Sequence, residues 1–303
     1  MFRTPCLSSF ALIFACTASV ISQAQVPADA TANRPGAPDT PPQVNVSQRA
    51  PLNPKLPTLL IVGDSTASNG PNLGWGDHLA NYFDTAQINV ANRAHAGRSS
   101  RSYIVEESWD KTLAEIKAGD YVMLQWGHND GGDLGGAKPR GSMHGLGEET
   151  QDVPQSVGVM AGKTETLHTY DWYTRKYIAD IEAEGATPMM LSLTGQNIWK
   201  RDADGVPQLA HGMAGYDQME QQIAADAHIV YIDMGSMEWD RLTATGPEKA
   251  ALLFPIDHTH TSAGGAELNV QSVVIALEKA YSPLVSYLKA RLPVPAPTSA
   301  VAK

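Results

Sequence analysis

Two polar blocks, far apart in the sequence, carry residue types that could begin an acyl transfer. Residues 63–66 read Gly-Asp-Ser-Thr and place Ser65 directly after an apolar run. Its hydroxyl could act as a nucleophile, and its backbone N–H could help to hold an oxyanion. Residues 127–130 read Gly-His-Asn-Asp, and the side-chain amide of Asn129 is a further oxyanion donor. Taken alone, Ser65 is also compatible with a helix N-cap or a phosphate-binding turn, although the glycine spacing fits no phosphate motif.

A third block supplies a possible acid–base pair. Residues 257–260 read Asp-His-Thr-His and precede a helical pattern. The spacing lets the carboxylate of Asp257 hold Nδ1 of His260, so that Nε2 faces the serine as a base. Two histidines and an aspartate could instead bind a metal, but no third, separated ligand stands out. We therefore predict a serine hydrolase that uses no metal and no other cofactor.

The elements that must position these blocks are strands and helices in alternation. Apolar runs are typical of central strands in a parallel sheet, and helical spacing of apolar residues occurs between them. This alternation predicts an α/β fold with about five parallel strands and helices on both faces. The strand runs are 59–62, 88–90, 121–124, 188–193 and 228–232. The helical patterns are Trp109/Leu113/Ile116, Tyr173/Tyr177/Ile181, Tyr216/Met219/Ile223 and Val270/Val273/Val274/Leu277/Tyr281, the last with Ser262 as N-cap and Pro283 beyond it.

Both ends of the chain differ in composition from this central part. Residues 1–24 have Arg3, an apolar stretch and small residues before a predicted cut after Ala24, which indicates a secretory signal. Residues 25–56 are rich in Pro and Ala and predict a disordered linker, and residues 292–303 predict a disordered tail. The catalytic domain is then 57–291. Within it, residues 131–167 hold many glycines and no apolar run, which predicts a long loop.

Charge and cysteine content exclude several classes of function. The formal net charge of −10 disfavours nonspecific binding of nucleic acid, and recognition of an acidic polymer would need a local basic patch. Both cysteines, Cys6 and Cys16, fall in the predicted signal, so the exported chain would have no thiol nucleophile and no disulfide. Lipidation at Cys16 stays an alternative. We expect an exported, periplasmic or extracellular monomer with no membrane association after signal cleavage.

The motifs resemble those of a known superfamily. Residues 63–66, Gly97, residues 127–130 and the Asp257/His260 pair look like the four blocks of the SGNH (GDSL-type) hydrolases. The wider stretches 63–68, 96–102, 127–132 and 254–262 resemble those of rhamnogalacturonan acetylesterases. The resemblance implies a three-layer, flavodoxin-like α/β/α fold. It also implies Ser65 as nucleophile, His260 as base and Asp257 as its partner, with an oxyanion hole formed by Ser65 and Gly97 N–H groups and the Asn129 side chain.

The substrate is the less determined part of this interpretation. An O-acetylated pectic rhamnogalacturonan is the first expectation, with acetylated xylan or short acetylated oligosaccharides as alternatives. Arg98 and Arg101 could contact uronate carboxylates, Trp199 could stack on a sugar ring, and His128 is a further candidate contact. Arg98 and Arg101 could equally lie on a solvated helix start, and His128 could simply bond its own loop. A lipase or thioesterase, or a carbohydrate-binding protein without activity, remains a less favoured reading.

Overall fold

The computed structural model describes residues 51–210 and 215–289. The predicted signal, most of the predicted linker and the predicted tail lie outside the described residues, so those assignments stay predictions. The described residues all lie within one compact unit. Among them, no helix combines the length and apolar character that a membrane span requires.

A five-stranded parallel sheet forms the centre of the protein, as the apolar runs predict. Its order is β2-β1-β3-β6-β9, and every neighbouring pair is parallel. The strands are β1 (Thr58–Gly63), β2 (Asn89–Asn92), β3 (Tyr121–Gln125), β6 (Thr187–Leu191) and β9 (Val230–Ile232). All six residues of β1 are buried, which is expected of a strand covered on both faces.

Helices cover both faces of this sheet and produce the predicted three layers. Alternate residues of β1 point to opposite sides: Leu59 and Ile61 join one apolar cluster, and Leu60 and Val62 join the other. The first cluster includes α5 (Met234–Thr245) and α7 (Ala263–Lys279). The second includes α1 (Ser100–Val105), α2 (Ser108–Leu113), α3 (Tyr170–Ala183) and α4 (Tyr216–Asp226). A further short helix, α6 (Pro247–Leu253), precedes the third polar block.

Two long connections contain hairpins that the sequence patterns did not predict. The predicted loop 131–167 holds β4 (Thr150–Pro154), which pairs antiparallel with β5 (Thr164–His168). The later connection holds β7 (Trp199–Arg201) paired with β8 (Pro207–Leu209). The prediction of a long loop over residues 131–167 is therefore wrong where these two strands form. These strands are short and mostly solvent-facing, so they lack the apolar runs that identified the central strands.

The predicted helices are found with shorter boundaries at two places. The second helix ends at Leu113, before Ile116. The last helix ends at Lys279, and Tyr281 lies beyond it with 92% of its surface exposed, so it does not belong to the apolar face. The predicted N-cap is confirmed, since the Ser262 side chain accepts a hydrogen bond from the Gly265 N–H.

Candidate active site

The sheet order places two of the polar blocks side by side. In this sheet β1 lies between β2 and β3, so the strand order changes direction between β1 and β3. In folds of this kind, ligands bind in the crevice beyond the carboxyl ends of the strands at that point. Ser65 follows the end of β1, and Asn129 follows the end of β3. The arrangement explains why residues 64 positions apart in the chain can serve one site.

Ser65 lies in a tight turn rather than at the start of a helix. The turn is closed by a hydrogen bond from the Ser68 N–H to the Asp64 carbonyl. No helix follows before Trp75, so Ser65 is not a helix N-cap. Ser65 is 6% exposed, which leaves its hydroxyl little freedom to reorient.

A Gly-Trp-Gly segment, residues 74–76, holds the nucleophile turn from outside. The N–H groups of Trp75 and Gly76 donate to the carbonyls of Thr66 and Ala67, each at 3.1 Å. A Cβ on Gly74 would lie 2.3 Å from the backbone of Ala67, so only glycine permits this approach. The sequence analysis missed this support, although two glycines flanking a tryptophan are a sign of close backbone packing.

The third block is brought to the serine in a linear chain of contacts. Nε2 of His260 lies 2.9 Å from Oγ of Ser65, and Nδ1 lies 2.7 Å from Oδ2 of Asp257. The other carboxylate oxygen of Asp257 accepts from the backbone N–H groups of Thr259 and His260. Burial alone would raise the pKa of Asp257, but the hydrogen bonds outweigh it and lower the pKa. The hydrogen bond to the His260 ring has the largest lowering effect. A carboxylate held ionised at Nδ1 leaves Nε2 free to accept the serine proton.

The other candidate oxyanion donors, Gly97 and Asn129, lie on the segments that follow β2 and β3. Gly97 has φ = 76°, a left-handed conformation that glycine adopts without strain. The side-chain nitrogen of Asn129 donates one hydrogen bond to the carbonyl of Arg98, at 2.7 Å, which leaves its second N–H for another acceptor. The His95 N–H bonds the Gly63 carbonyl at 2.9 Å, so the segment that carries Gly97 is tied to the end of β1.

His128 is buried beneath the nucleophile turn and does not face a substrate. Its side chain is 4% exposed; Nδ1 lies 3.1 Å from the Asp64 carboxylate, and Nε2 contacts Thr194. Burial would lower the pKa of His128, but the charge of Asp64 outweighs it and raises the pKa. Burial would raise the pKa of Asp64, yet His128 lowers it. The two form a buried ion pair. His128 therefore has a structural role, and the predicted contact with a sugar was wrong.

The predicted substrate contact of Arg101 is likewise corrected, because its guanidinium is buried and paired inside the protein. Arg101 is 2% exposed and makes two parallel hydrogen bonds to Glu165 of β5, at 2.9 and 2.6 Å. It also donates to the carbonyls of Leu134 and Gly141. This bidentate pair connects α1 to the unpredicted hairpin. Four of the five guanidinium N–H groups are engaged and the residue is 2% exposed, so Arg101 is not available to a uronate carboxylate.

The other two candidate substrate contacts differ from each other. Arg98 is partly exposed near Gly97 but pairs with Glu106 at 2.7 Å. Trp199, on β7, packs against an apolar cluster around Phe254 and Leu242 and donates its ring N–H to Asn197. Its face is therefore partly covered by the protein's own side chains.

Asp130, at the end of the second block, is a buried structural group. Its carboxylate accepts from the N–H and hydroxyl of Ser100 and from the Ser142 hydroxyl. Burial raises the pKa of Asp130 to about 6. As for metals, no cluster of three ligating side chains occurs in the ranges 51–210 and 215–289.

Comparisons with known proteins identify the family of this chain. The GDSL-like Lipase/Acylhydrolase family matches residues 61–268. A rhamnogalacturonan acetylesterase of Emericella nidulans is 32% identical over 212 residues, which span 70% of this chain and 80% of that protein. RhgT, a rhamnogalacturonan acetylesterase of Bacillus subtilis, is 24% identical over 252 residues, 77% of this chain and 94% of RhgT.

A solved structure shows the same fold at lower identity. The crystal structure of the Bacillus subtilis YxiM protein aligns with a TM-score of 0.58 at 22% identity, over 75% of this chain and 58% of YxiM. The chain thus spans less than two thirds of that protein. The chain belongs to the GDSL-like lipase/acylhydrolase family of SGNH hydrolases, and it is a carboxylic ester hydrolase. Within the family, its similarity extends to rhamnogalacturonan acetylesterases, which confirms the resemblance stated from the motifs.

Proposed function

We propose that this protein is an exported serine acetylesterase that removes O-acetyl groups from pectic rhamnogalacturonan. The observation that carries the proposal is the unbroken contact chain Ser65–His260–Asp257 at the switch point of the sheet. The relatives named rhamnogalacturonan acetylesterases, of which the chain covers 80% and 94%, support the substrate class.

The first step transfers the acetyl group from the sugar to the enzyme. Oγ of Ser65 attacks the ester carbonyl carbon, and its proton passes to Nε2 of His260 across the 2.9 Å contact. The carbonyl oxygen becomes an oxyanion that the Ser65 and Gly97 N–H groups and the free amide N–H of Asn129 stabilise. Collapse of this intermediate breaks the bond to the sugar oxygen, which takes the proton from His260 and leaves as an alcohol.

The second step frees the serine. Water gives a proton to Nε2 of His260 and attacks the acetyl–serine carbonyl carbon, and the same donors hold the new oxyanion. Collapse returns the proton to Oγ of Ser65 and releases acetate. The ionised Asp257 stabilises the positively charged imidazole that forms in both steps.

The surroundings of the site favour a polar substrate over a fatty acyl chain. In the part of the chain that the structure describes, the large exposed apolar side chains that line the cavity beside Gly97 are Val157 and Val159. Cationic and polar side chains make up much of the neighbouring cavity wall. These groups can form hydrogen bonds with a carbohydrate that a fatty acyl chain cannot form.

Export is part of the proposal and is supported by the signal-like residues 1–24. Expression of the full chain in its native host type, followed by cell fractionation and N-terminal sequencing, tests it. A mature chain that begins after Ala24 outside the cytoplasm is expected. An uncleaved chain that stays in the cytoplasm would refute export and leave the esterase proposal intact.

Acetate release from a panel of acetylated polymers tests the substrate. Wild type and Ser65→Ala are compared on rhamnogalacturonan, homogalacturonan and xylan. Preference for rhamnogalacturonan that disappears in the variant is expected. Activity on xylan alone would retain the mechanism and refute the pectic substrate, and a variant that retains wild-type rates would refute Ser65 as nucleophile.

A further inference from the structure

A cavity of about 330 Å³ opens beside the candidate oxyanion hole. Its wall includes Gly97 and residues 101, 102 and 105 of α1, and further lining comes from residues 138–140 and from residues 155 and 157–160 between β4 and β5. This volume is in the range of a small-ligand site. Because Gly97 belongs both to the cavity and to the proposed oxyanion hole, a ligand there would lie next to the reacting ester.

Four cationic side chains line this cavity, and two of them are neutralised by the protein. Arg98 pairs with Glu106, and the buried Arg101 pairs with Glu165. Both carboxylates also line the cavity, and they are its only acidic lining groups in the part of the chain that the structure describes. The two pairs therefore account for all the negative charge of the wall.

The other two cations, Lys138 and Arg140, keep their charge uncompensated. Neither makes an ion pair with a carboxylate of the described residues, although the protein as a whole is acidic. The guanidinium of Arg140 lies against the oxyanion-hole segment, with Nη1 3.4 Å from the Gly97 carbonyl. Lys138 is exposed at the cavity edge. Two unpaired positive charges in a concave wall create a local attraction for an anion that the net charge of the chain would otherwise oppose.

We propose that Lys138 and Arg140 form a carboxylate-binding subsite for a uronate within one sugar unit of the acetyl ester. This inference rests on the proposed function and specifies its substrate as an acidic carbohydrate. The planar guanidinium suits the two oxygens of a carboxylate, and the lysine ammonium adds a second charge. The sequence predicted that Arg101 would contact a uronate, but Arg101 is buried. In this proposal Lys138 and Arg140, which the sequence patterns did not indicate, make that contact instead.

The first test compares one acetylated uronate-containing oligosaccharide with its carboxyl methyl ester. Wild type is expected to show a kcat/KM ratio of acid to methyl ester of at least about tenfold, equivalent to ~1.4 kcal/mol, falling as salt is raised. Lys138→Gln and Arg140→Gln are each expected to reduce this ratio severalfold. The matched control Lys249→Gln removes an exposed charge of α6 that does not line the cavity, and it should keep the wild-type ratio. A ratio of one in wild type, or an unchanged ratio in both cavity variants, would overturn the subsite.

The second test does not depend on ester hydrolysis. Titration calorimetry of the protein with an unacetylated oligogalacturonide should detect salt-sensitive binding that Lys138→Gln and Arg140→Gln weaken and Lys249→Gln does not. Equal binding by all four proteins, or no binding by wild type, would refute the subsite. If binding follows the prediction while no acetylated carbohydrate is hydrolysed, the proposed function fails and the uronate subsite stands.

Discussion

Replacing Asp257 by asparagine tests how the acid–base pair works. In the structure, one oxygen of Asp257 accepts two backbone N–H groups, while the other faces Nδ1 of His260. The asparagine carbonyl can keep the two backbone contacts, but its NH₂ then faces Nδ1. The imidazole must present an unprotonated Nδ1 to this donor, so the proton moves to Nε2, which can no longer accept the proton of Ser65.

The magnitude follows from which contacts are lost. A neutral amide at the position of a triad carboxylate lowers kcat about 10⁴-fold in a well-studied serine protease, or about 5.5 kcal/mol of barrier. The free energy of unfolding should fall by about 1 kcal/mol or less, because the side chain of Asp257 is 30% exposed and the variant keeps its two backbone hydrogen bonds. Initial rates on nitrophenyl acetate and urea unfolding of the same preparations measure the two effects separately.

A control and a contradicting result complete this test. His258 is exposed and adjacent in sequence, and its side chain is not part of the contact chain. His258→Gln should therefore hydrolyse nitrophenyl acetate close to the wild-type rate. If Asp257→Asn retained more than about a tenth of the wild-type kcat, the orienting role of Asp257 would be refuted. Another group would then have to determine which ring nitrogen of His260 carries the proton.

Three other substitutions test the surrounding structure. Asn129→Ala should lower kcat on nitrophenyl acetate by about 10²–10³ with little change in KM, since it removes one oxyanion donor; an unchanged kcat would remove Asn129 from the hole. Arg101→Gln leaves Glu165 buried without its partner and should lower the free energy of unfolding by about 3–5 kcal/mol in urea titrations, and a loss under 1 kcal/mol would contradict the buried-pair account. Burial raises the pKa of Glu238 from 4.5 to about 8, so ionising this carboxyl in the folded protein costs free energy. The free energy of unfolding should therefore fall as pH rises from 4.5 through 8, by up to about 1.4 kcal/mol per pH unit. Glu238→Gln should flatten that slope in urea titrations at several pH values; an identical slope would show that Glu238 does not cause it.

The central sheet could be predicted because burial on both faces leaves a plain signal. All five apolar runs correspond to strands, with boundaries that differ by at most two residues. The hairpins β4–β5 and β7–β8 could not be found in this way. Their residues face solvent on at least one side, so their strand character depends on pairing and packing with distant segments such as Arg101, which no local pattern records.

Part of the site could also be predicted from the sequence, and part could not. Ser65, Asn129, Asp257 and His260 could be placed together because parallel strands end at one edge of the sheet and because the Asp–His spacing is local. Which of the nearby cations faces solvent could not be predicted. Arg101 lies three residues after the partly exposed Arg98, and the tertiary contact with Glu165 determines that it is buried.

The most direct test of the account is to trap the acetylated enzyme. Wild type is mixed with excess nitrophenyl acetate, quenched in acid within the first turnovers, digested and mapped by mass spectrometry. The account predicts an acetyl ester on the peptide that contains Ser65, absent from Ser65→Ala and accumulating in step with the burst of nitrophenol. Steady acetate release with no acetyl on Ser65, or an equal burst from Ser65→Ala, would contradict it.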